Sequence, residues 1–258
     1  MRVALAQLRS GSNPSANLEL VADHIVQAAG RAELLIFPEA TMSSFAGEAH
    51  RAAQPLDGPW AGRVRQLAAE ADLTVVVGMF TPGAGRARNT LLVTGAAETH
   101  YDKLHLFDAL GQAESDAIEP GAALVSFSLG PHQVGLATCY DVRFPAQFTA
   151  LARGGAELIA LPSSWASGLG KLHQWRTLVT ARAMDSTSFV VAVDQASAAD
   201  QRPGHPTGIG HSMVVGPTGE VLLELGDEPE LAFIDLNLAE VNAVRLRLPV
   251  LAQTRPLP

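Results

Sequence analysis

Apolar positions along the chain switch between continuous runs and helical spacing, and each switch marks an element. Val3, Leu5 and Leu8 make a short apolar segment that predicts a first strand. Asn13-Pro14 predicts a helix start, a cap residue followed by Pro in the first turn. Leu18, Val21, Ile25 and Ala28 carry that helix on at helical spacing. The run Leu34-Leu35-Ile36-Phe37, stopped by Pro38, predicts a strand covered on both faces. Trp60, Val64, Leu67 and Ala71 predict a second amphipathic helix, and Thr74 to Met79 a β-branched strand.

The middle of the chain is richer in strands. Segments 91–94, 100–104, 124–127 and 134–138 are all expected to be extended, followed by a helix over 145–153 and a strand over 158–161. A long helix is expected over 171–185, then a strand over 189–193. Met213-Val214-Val215, Gly216-Pro217-Thr218-Gly219 and Val221-Leu222-Leu223 predict a strand, a turn and a strand. Gly83-Ala84-Gly85 predicts a loop, and 200–210 a longer one. Helices and strands interleave with no repeat and no linker-like stretch, so the expectation is helices covering sheets in layers, in one domain over 1–258. Periodicity leaves the strand order and the number of sheets open.

Composition narrows the function classes. The chain of 258 residues is 47% hydrophobic and 17% charged, which is an ordinary globular balance. A net charge of −8 without a cluster of Lys and Arg argues against nucleic acid as a partner. No apolar run approaches the roughly 18 residues of a membrane span, and MRVALAQLRS does not read as a signal peptide. One Cys cannot form an internal disulfide, which suits a reducing cytoplasm.

That Cys is also the first chemical candidate. Cys139 closes the apolar segment 134–138 and opens the polar one Tyr140-Asp141-Val142-Arg143, at the mouth of a strand where α/β proteins bind ligands. A lone Cys can equally be a small buried hydrophobe, and position alone leaves both readings open. As a nucleophile it needs help: a thiol of pKa near 8.5 is only about 3% thiolate at pH 7, a shortfall of roughly 2 kcal/mol. Glu39, at the end of the 34–37 strand, is a candidate general base or a solvated loop residue. Lys103 sits in the alternating segment 100–107, read as strand, either snorkelling to the surface or stabilising an anion in a cleft. Glu114 lies in a loop and alone says almost nothing. A Cys–His pair competes, with His105, His173 and His211 as candidates. Metal binding has no support: there is no paired-Cys motif and no His-Glu-x-x-His.

Glu39, Lys103 and Cys139 stand in that order within FPEA (37–40), YDKLHLFD (101–108) and TCYDVRFP (138–145). Together these segments resemble the nitrilase superfamily of carbon–nitrogen hydrolases. The resemblance continues through MRVALAQL, GQAESDAIEPG (111–121), the helix and strand of 172–195, and HSMVVGPTGEVL (211–222), and so covers nearly the whole chain. It implies a four-layer αββα sandwich, commonly a homodimer, with no metal or organic cofactor. It implies Glu39 as general base, Cys139 as nucleophile, Lys103 as oxyanion stabiliser with the Tyr140 N–H as second donor, and Glu114 holding the others in register. The segments around Lys103 and Cys139 look most like the small-acid amidases, omega-amidases and deaminated-glutathione amidases, whose substrates carry carboxylates. Arg143 and Arg176 are the candidate partners for such a carboxylate, Arg143 alternatively bracing the turn after the nucleophile. The loops 41–46 and 162–168, expected to line the pocket, depart from commoner members. The expectation is an amidase releasing ammonia through a Cys thioester. The alternatives are an N-carbamoyl amino acid hydrolase of the same superfamily, or a catalytically silent binding or scaffold member.

Overall fold

The computed structural model describes residues 1–45, 49–198 and 205–255. The end of the 41–46 loop and the 200–204 part of the 200–210 loop lie outside the described residues.

Two six-stranded mixed sheets form the centre. The first contains β1 (Arg2–Gln7), β2 (Leu34–Ile36), β3 (Thr74–Pro82), β4 (Ala87–Thr94) and β5 (Thr99–Asp102). The second contains β6 (Ser126–Leu129), β7 (His132–Leu136), β8 (Leu158–Ser163), β9 (Phe189–Asp194), β10 (Met213–Val215) and β11 (Val221–Glu224). A last strand, β12 (Glu230–Asp235), returns to pair antiparallel with β1, giving the order β12-β1-β2-β3-β4-β5 against β11-β10-β9-β8-β7-β6. The core of each sheet is parallel, β1-β2-β3 in one and β7-β8-β9 in the other.

Alternation within the buried strands sorts side chains between two layers. Val3 and Leu5 of β1, Leu34 and Ile36 of β2, and Leu158 and Ala160 of β8 meet between the sheets. The intervening residues face helices. Ala4, Ala6 and Leu35 pack with Val21 and Ile25 of α1 (Pro14–Ala28). Short α2 (Ala49–Ala52) is followed by α3 (Pro59–Glu70), whose Trp60 and Val64 join the same cluster. On the other side Ile159 and Leu161 pack with Phe148 of α4 (Pro145–Arg153) and with Trp175 and Val179 of α5 (Lys171–Ser186). The architecture is therefore the expected αββα sandwich. Asn13 caps α1 as expected, accepting from the N–H of Ser15 at 2.9 Å.

Three features depart from the sequence reading. Strand β12 and helix α6 (Ala239–Arg247), followed by the short α7 (Val250–Gln253), had no clear periodic signal. In β12 Glu230 and Asp235 are exposed and the residues between them half-buried, while α6 buries Val241 and Val244. Lys103 is not inside a strand: β5 ends at Asp102, and the Lys103 N–H prolongs the ladder by one bond, to the Asn89 carbonyl at 2.9 Å.

Candidate active site

The parallel strands deliver their carboxyl ends to one rim, where ligands of α/β sheets gather. Glu39 follows β2, Cys139 follows β7, Ser164 follows β8, and Asp194 ends β9. Glu39, Cys139 and Ser164 border a cavity of about 950 Å³. Glu39, Lys103, Glu114, Cys139, Tyr140 and Arg143 all line it.

Lys103 is the hub. Its ammonium donates to Glu39 Oε1 at 2.9 Å and to Glu114 Oε2 at 2.8 Å. Its side chain is only 2% exposed, so it does not snorkel. Burial works against the charge, but Glu114, Glu39 and Cys139 outweigh it and hold the ammonium well above its usual pKa. Glu39 is fully buried and receives three donors in all: Lys103, Asn89 Nδ2 at 2.7 Å, and on its other oxygen the Ser164 N–H at 2.8 Å. Burial nonetheless raises its carboxyl, Lys103 opposes that, and Glu114 adds to it. A carboxyl raised above its free value is a stronger base than a free Glu. Glu114, in the loop between β5 and β6, also accepts from Asn89 at 3.0 Å and from the Phe107 N–H at 2.7 Å.

Cys139 takes a left-handed conformation, with φ of 46°. For a residue with a Cβ this costs of order 1–2 kcal/mol. The surroundings impose it. Residues 139–143 form a 3₁₀ turn closed by the Asp141 N–H, which donates to the Thr138 carbonyl at 2.9 Å, and by the Asp141 carboxylate. Fully buried Asp141 accepts from the Thr138 N–H at 2.8 Å, the Tyr101 hydroxyl at 2.6 Å and the His105 N–H at 3.0 Å. The thiol itself points to the Ser164 carbonyl, 3.7 Å away. Burial pushes the Cys139 thiol well up, Glu39 adds to this, and Lys103 opposes it. Attack by this thiol therefore needs a base beside it, and the Glu39 carboxyl, itself raised by burial, is the group so placed.

The structure settles the fate of the other candidates. His105 donates from Nδ1 to Asp141 Oδ1, 2.8 Å away, and stacks on Phe144 at 3.6 Å, outside the cavity lining. His173 and His211 are also outside that lining, so none of the three forms a Cys–His pair. Arg176 is a correction. Trp175 and Val179 form the buried stripe of α5, and a residue one step off that stripe faces away. Arg176 accordingly ion-pairs with Glu224 at 2.7 Å, about half exposed and away from the cavity. Arg143 does line the cavity, its Nη2 donating to Gln174 at 2.7 Å. Among the described residues no group of three His, Cys, Asp or Glu side chains is placed to hold a metal ion.

Sequence reading missed four neighbours. Asn89 ties Glu39 to Glu114 and offers a buried Oδ1 with no hydrogen-bond partner among the described residues; a lone Asn inside a β-branched strand was its one signal. Gln195 anchors the backbone of Glu39, donating to its carbonyl at 2.9 Å. Asp194 accepts from the N–H groups of Trp165 at 2.7 Å and Ile209 at 2.8 Å, tying together two segments of the rim. Lys171, at the start of α5, lines the cavity.

A carboxylate, an ammonium and a thiol so placed define a hydrolase of carbon–nitrogen bonds, and the comparisons agree. The carbon-nitrogen hydrolase family model matches residues 2–246, and the chain belongs to that family, within the nitrilase superfamily. It is a hydrolase acting on carbon–nitrogen bonds in non-peptide amides. A Mycobacterium tuberculosis protein described only as a hydrolase is 48% identical over 97% of this chain and 94% of its own. The deaminated glutathione amidase of Escherichia coli O157:H7 is 34% identical over 100% of this chain and 98% of its own. Among solved structures, a CN-hydrolase superfamily protein of Xanthomonas campestris with an arsenic adduct in its active site superposes with a TM-score of 0.87 at 25% identity, covering 100% and 98% of the two chains. An amidase of Nesterenkonia superposes with a TM-score of 0.81 at 27% identity, covering 99% and 96%.

Proposed function

We propose that the protein is a cofactor-independent amidase that hydrolyses the linear carboxamide of a small carboxylate-bearing acid through a thioester on Cys139. The observation that carries this reading is the double clamp of Lys103 on Glu39 and Glu114, on the rim that also presents Cys139.

Glu39 takes the thiol proton as Cys139 Sγ bonds to the amide carbon. The carbonyl oxygen becomes an oxyanion, which Lys103 and the Tyr140 N–H stabilise; one lost donor of this kind typically costs about 10²–10³ in rate. The protonated Glu39 gives its proton to the amide nitrogen, the C–N bond breaks, and ammonia leaves with the acyl group held as a thioester. Water then gives a proton to Glu39 and its oxygen bonds to the acyl carbon. Collapse returns the proton to sulfur and releases the acid. One carboxyl acts as base, acid and base in turn. Glu114 and Asn89 fix the geometry of that carboxyl and of the lysine. In this reading Arg143 receives the substrate carboxylate.

Relatives named deaminated glutathione amidase put that compound on the panel to be tested. The test is ammonia release from deaminated glutathione, 2-oxo acid amides, glutamine-like amides and N-carbamoyl amino acids, with Cys139→Ala as the blank. Ammonia from a carboxamide, with the acyl mass trapped on Cys139, is the expected result. Carbon dioxide released with ammonia from a carbamoyl compound alone, or full turnover by Cys139→Ala, would overturn it. The dependence on one free thiol fits a reducing compartment such as the cytoplasm, and sedimentation would check the homodimer that the family resemblance implies.

A further inference from the structure

Two cations of the cavity have no carboxylate within ion-pair distance among the described residues. Lys171 opens α5 and lines the cavity while only 7% exposed. Its ammonium lies 5.7 Å from the ring centre of Phe107 and 5.5 Å from that of Trp165. Arg143 lies 5.2 Å from the Trp165 ring centre and 5.8 Å from that of Tyr140, and its one hydrogen bond among the described residues goes to the neutral Gln174.

The balance of local circumstances disfavours the charge on Lys171. Burial lowers its pKa, the neighbouring Arg143 lowers it further, and only Cys139 acts the other way. The residue also stands at the positive end of a sixteen-residue helix whose first turn holds no acid. Aromatic faces offset part of this cost but do not neutralise a cation. Lys103 shows the contrast. It lines the same cavity and is buried more deeply, yet it has two carboxylates within 3 Å. Among the described residues, two carboxylates lie against one lysine and none within ion-pair distance of the other.

We infer that Lys171 and Arg143 form an anion subsite that selects amides carrying a carboxylate away from the bond that is cut, with Lys171 as a specificity-determining residue. This rests on the amidase reading above. Phe107, Tyr140 and Trp165 form the apolar walls along which the alkyl chain between amide and carboxylate lies. A substrate carboxylate supplies the negative charge that the described residues do not, and it draws on both cations at once.

The test compares glutaramate with pentanamide, a pair of similar length that differs chiefly in the distal carboxylate. Wild type is expected to favour glutaramate. In Lys171→Met the ratio of the two kcat/KM values should fall about 10–100-fold, the range of one charge-assisted hydrogen bond. The loss should lie mainly in KM for glutaramate, and Lys171→Arg should restore most of the ratio. Lys171→Gln serves if the Met variant fails to fold. An unchanged ratio would overturn the subsite while leaving the amidase reading intact. If wild type releases ammonia from neither amide, the amidase reading fails on these substrates. Glutarate then tests the subsite alone: a thermal upshift lost in Lys171→Met supports it, and no upshift in wild type rejects it.

Discussion

Gly78 of β3 offers a sharp test of how the base is held. A Cβ built there falls 2.6 Å from the Pro38 carbonyl oxygen, 2.7 Å from the Ala40 nitrogen and 2.9 Å from the Glu39 Cα. All three are backbone atoms on both sides of Glu39, so no side chain can swing aside. To reach ordinary contact at 3.4 Å, the Pro38–Ala40 segment of Gly78→Ala must retreat by roughly 0.5–0.8 Å. That segment is pinned by the Gln195 side chain, the Thr41 hydroxyl and the Ser164 N–H. Overpacking of this kind costs about 1–3 kcal/mol. At this chain size that amounts to a fall in Tm of roughly 2–12 °C. The larger effect falls on catalysis, because a catalytic group displaced by about 1 Å can lose about 10²-fold in rate. Activity should therefore drop far more than stability. Urea unfolding followed by the fluorescence of the buried Trp60, Trp165 and Trp175 gives the first quantity, and ammonia release under native conditions the second. Gly62→Ala is the control: it lies exposed in α3 with nothing within 4 Å of a new Cβ, and should gain about 0.5–1 kcal/mol with unchanged kcat. Gly78→Ala with wild-type kcat and stability would refute the account.

Lys103→Met leaves Glu39 and Glu114 buried together without their cation, at a cost of about 3–5 kcal/mol. Its kcat/KM should fall more than about 10³-fold, since an oxyanion donor is lost and the base is held protonated; activity within tenfold of wild type would contradict the role. Asp141→Ala strips acceptors from the Thr138 and His105 N–H groups and from the Tyr101 hydroxyl, costing at least about 3 kcal/mol. It should also loosen the turn at Cys139, read as slower alkylation by iodoacetamide; an unchanged alkylation rate would argue that the turn holds without it. Burial pushes the Asp194 carboxyl up to about 7, against the N–H groups of Ile209 and Trp165, with Glu39 adding to the rise. A carboxyl raised above its unfolded value of 3.8 favours the folded state most below that value, and this contribution is lost as pH rises toward 7. Asp194→Asn should be less stable overall, because it can no longer accept from both N–H groups. Its deficit against wild type should shrink between pH 4 and pH 7, and denaturant midpoints across that range that keep a constant gap would sink the assignment.

How much of this was legible in the sequence depends on whether position along the chain carried the signal. Glu39 and Cys139 follow apolar runs that are buried on both faces, so a polar residue there had to sit at a sheet rim. The fold class followed from the same runs, and the resemblance supplied the second sheet. Asn89 was invisible because its neighbours in β4 look like ordinary strand, and its task is set by Glu39, fifty residues away. Lys171 was read only as a helix start, since its meaning lies in carboxylates that are not beside it. Arg176 failed for the opposite reason: it had the right charge, but helical phase turned it outward beside Trp175. The weakly patterned β12 and α6 escaped because burial, not periodicity, decides elements in which only a few residues are covered.

The base and the nucleophile come from different sheets, and this explains where the bridging bonds lie. Glu39 and Lys103 belong to the first sheet's rim, Cys139, Ser164 and Gln195 to the second's. Three of the links between them are Ser164 N–H to Glu39 Oε2, Gln195 Nε2 to Glu39 O, and the Tyr101 hydroxyl to Asp141. The first two fix the carboxylate, and the third fixes the turn that strains Cys139. None can form until the sheets dock through the layer of Val3, Leu34, Leu158 and Phe189. A thiol forced into a left-handed turn and a carboxylate raised by burial are both unfavourable in isolation. Docking of the two sheets supplies the free energy that sustains them, and apolar burial in that layer is the source large enough to do so. The site is therefore a property of the interface between the sheets, and its reactivity is tied to the packing of a layer that never touches substrate.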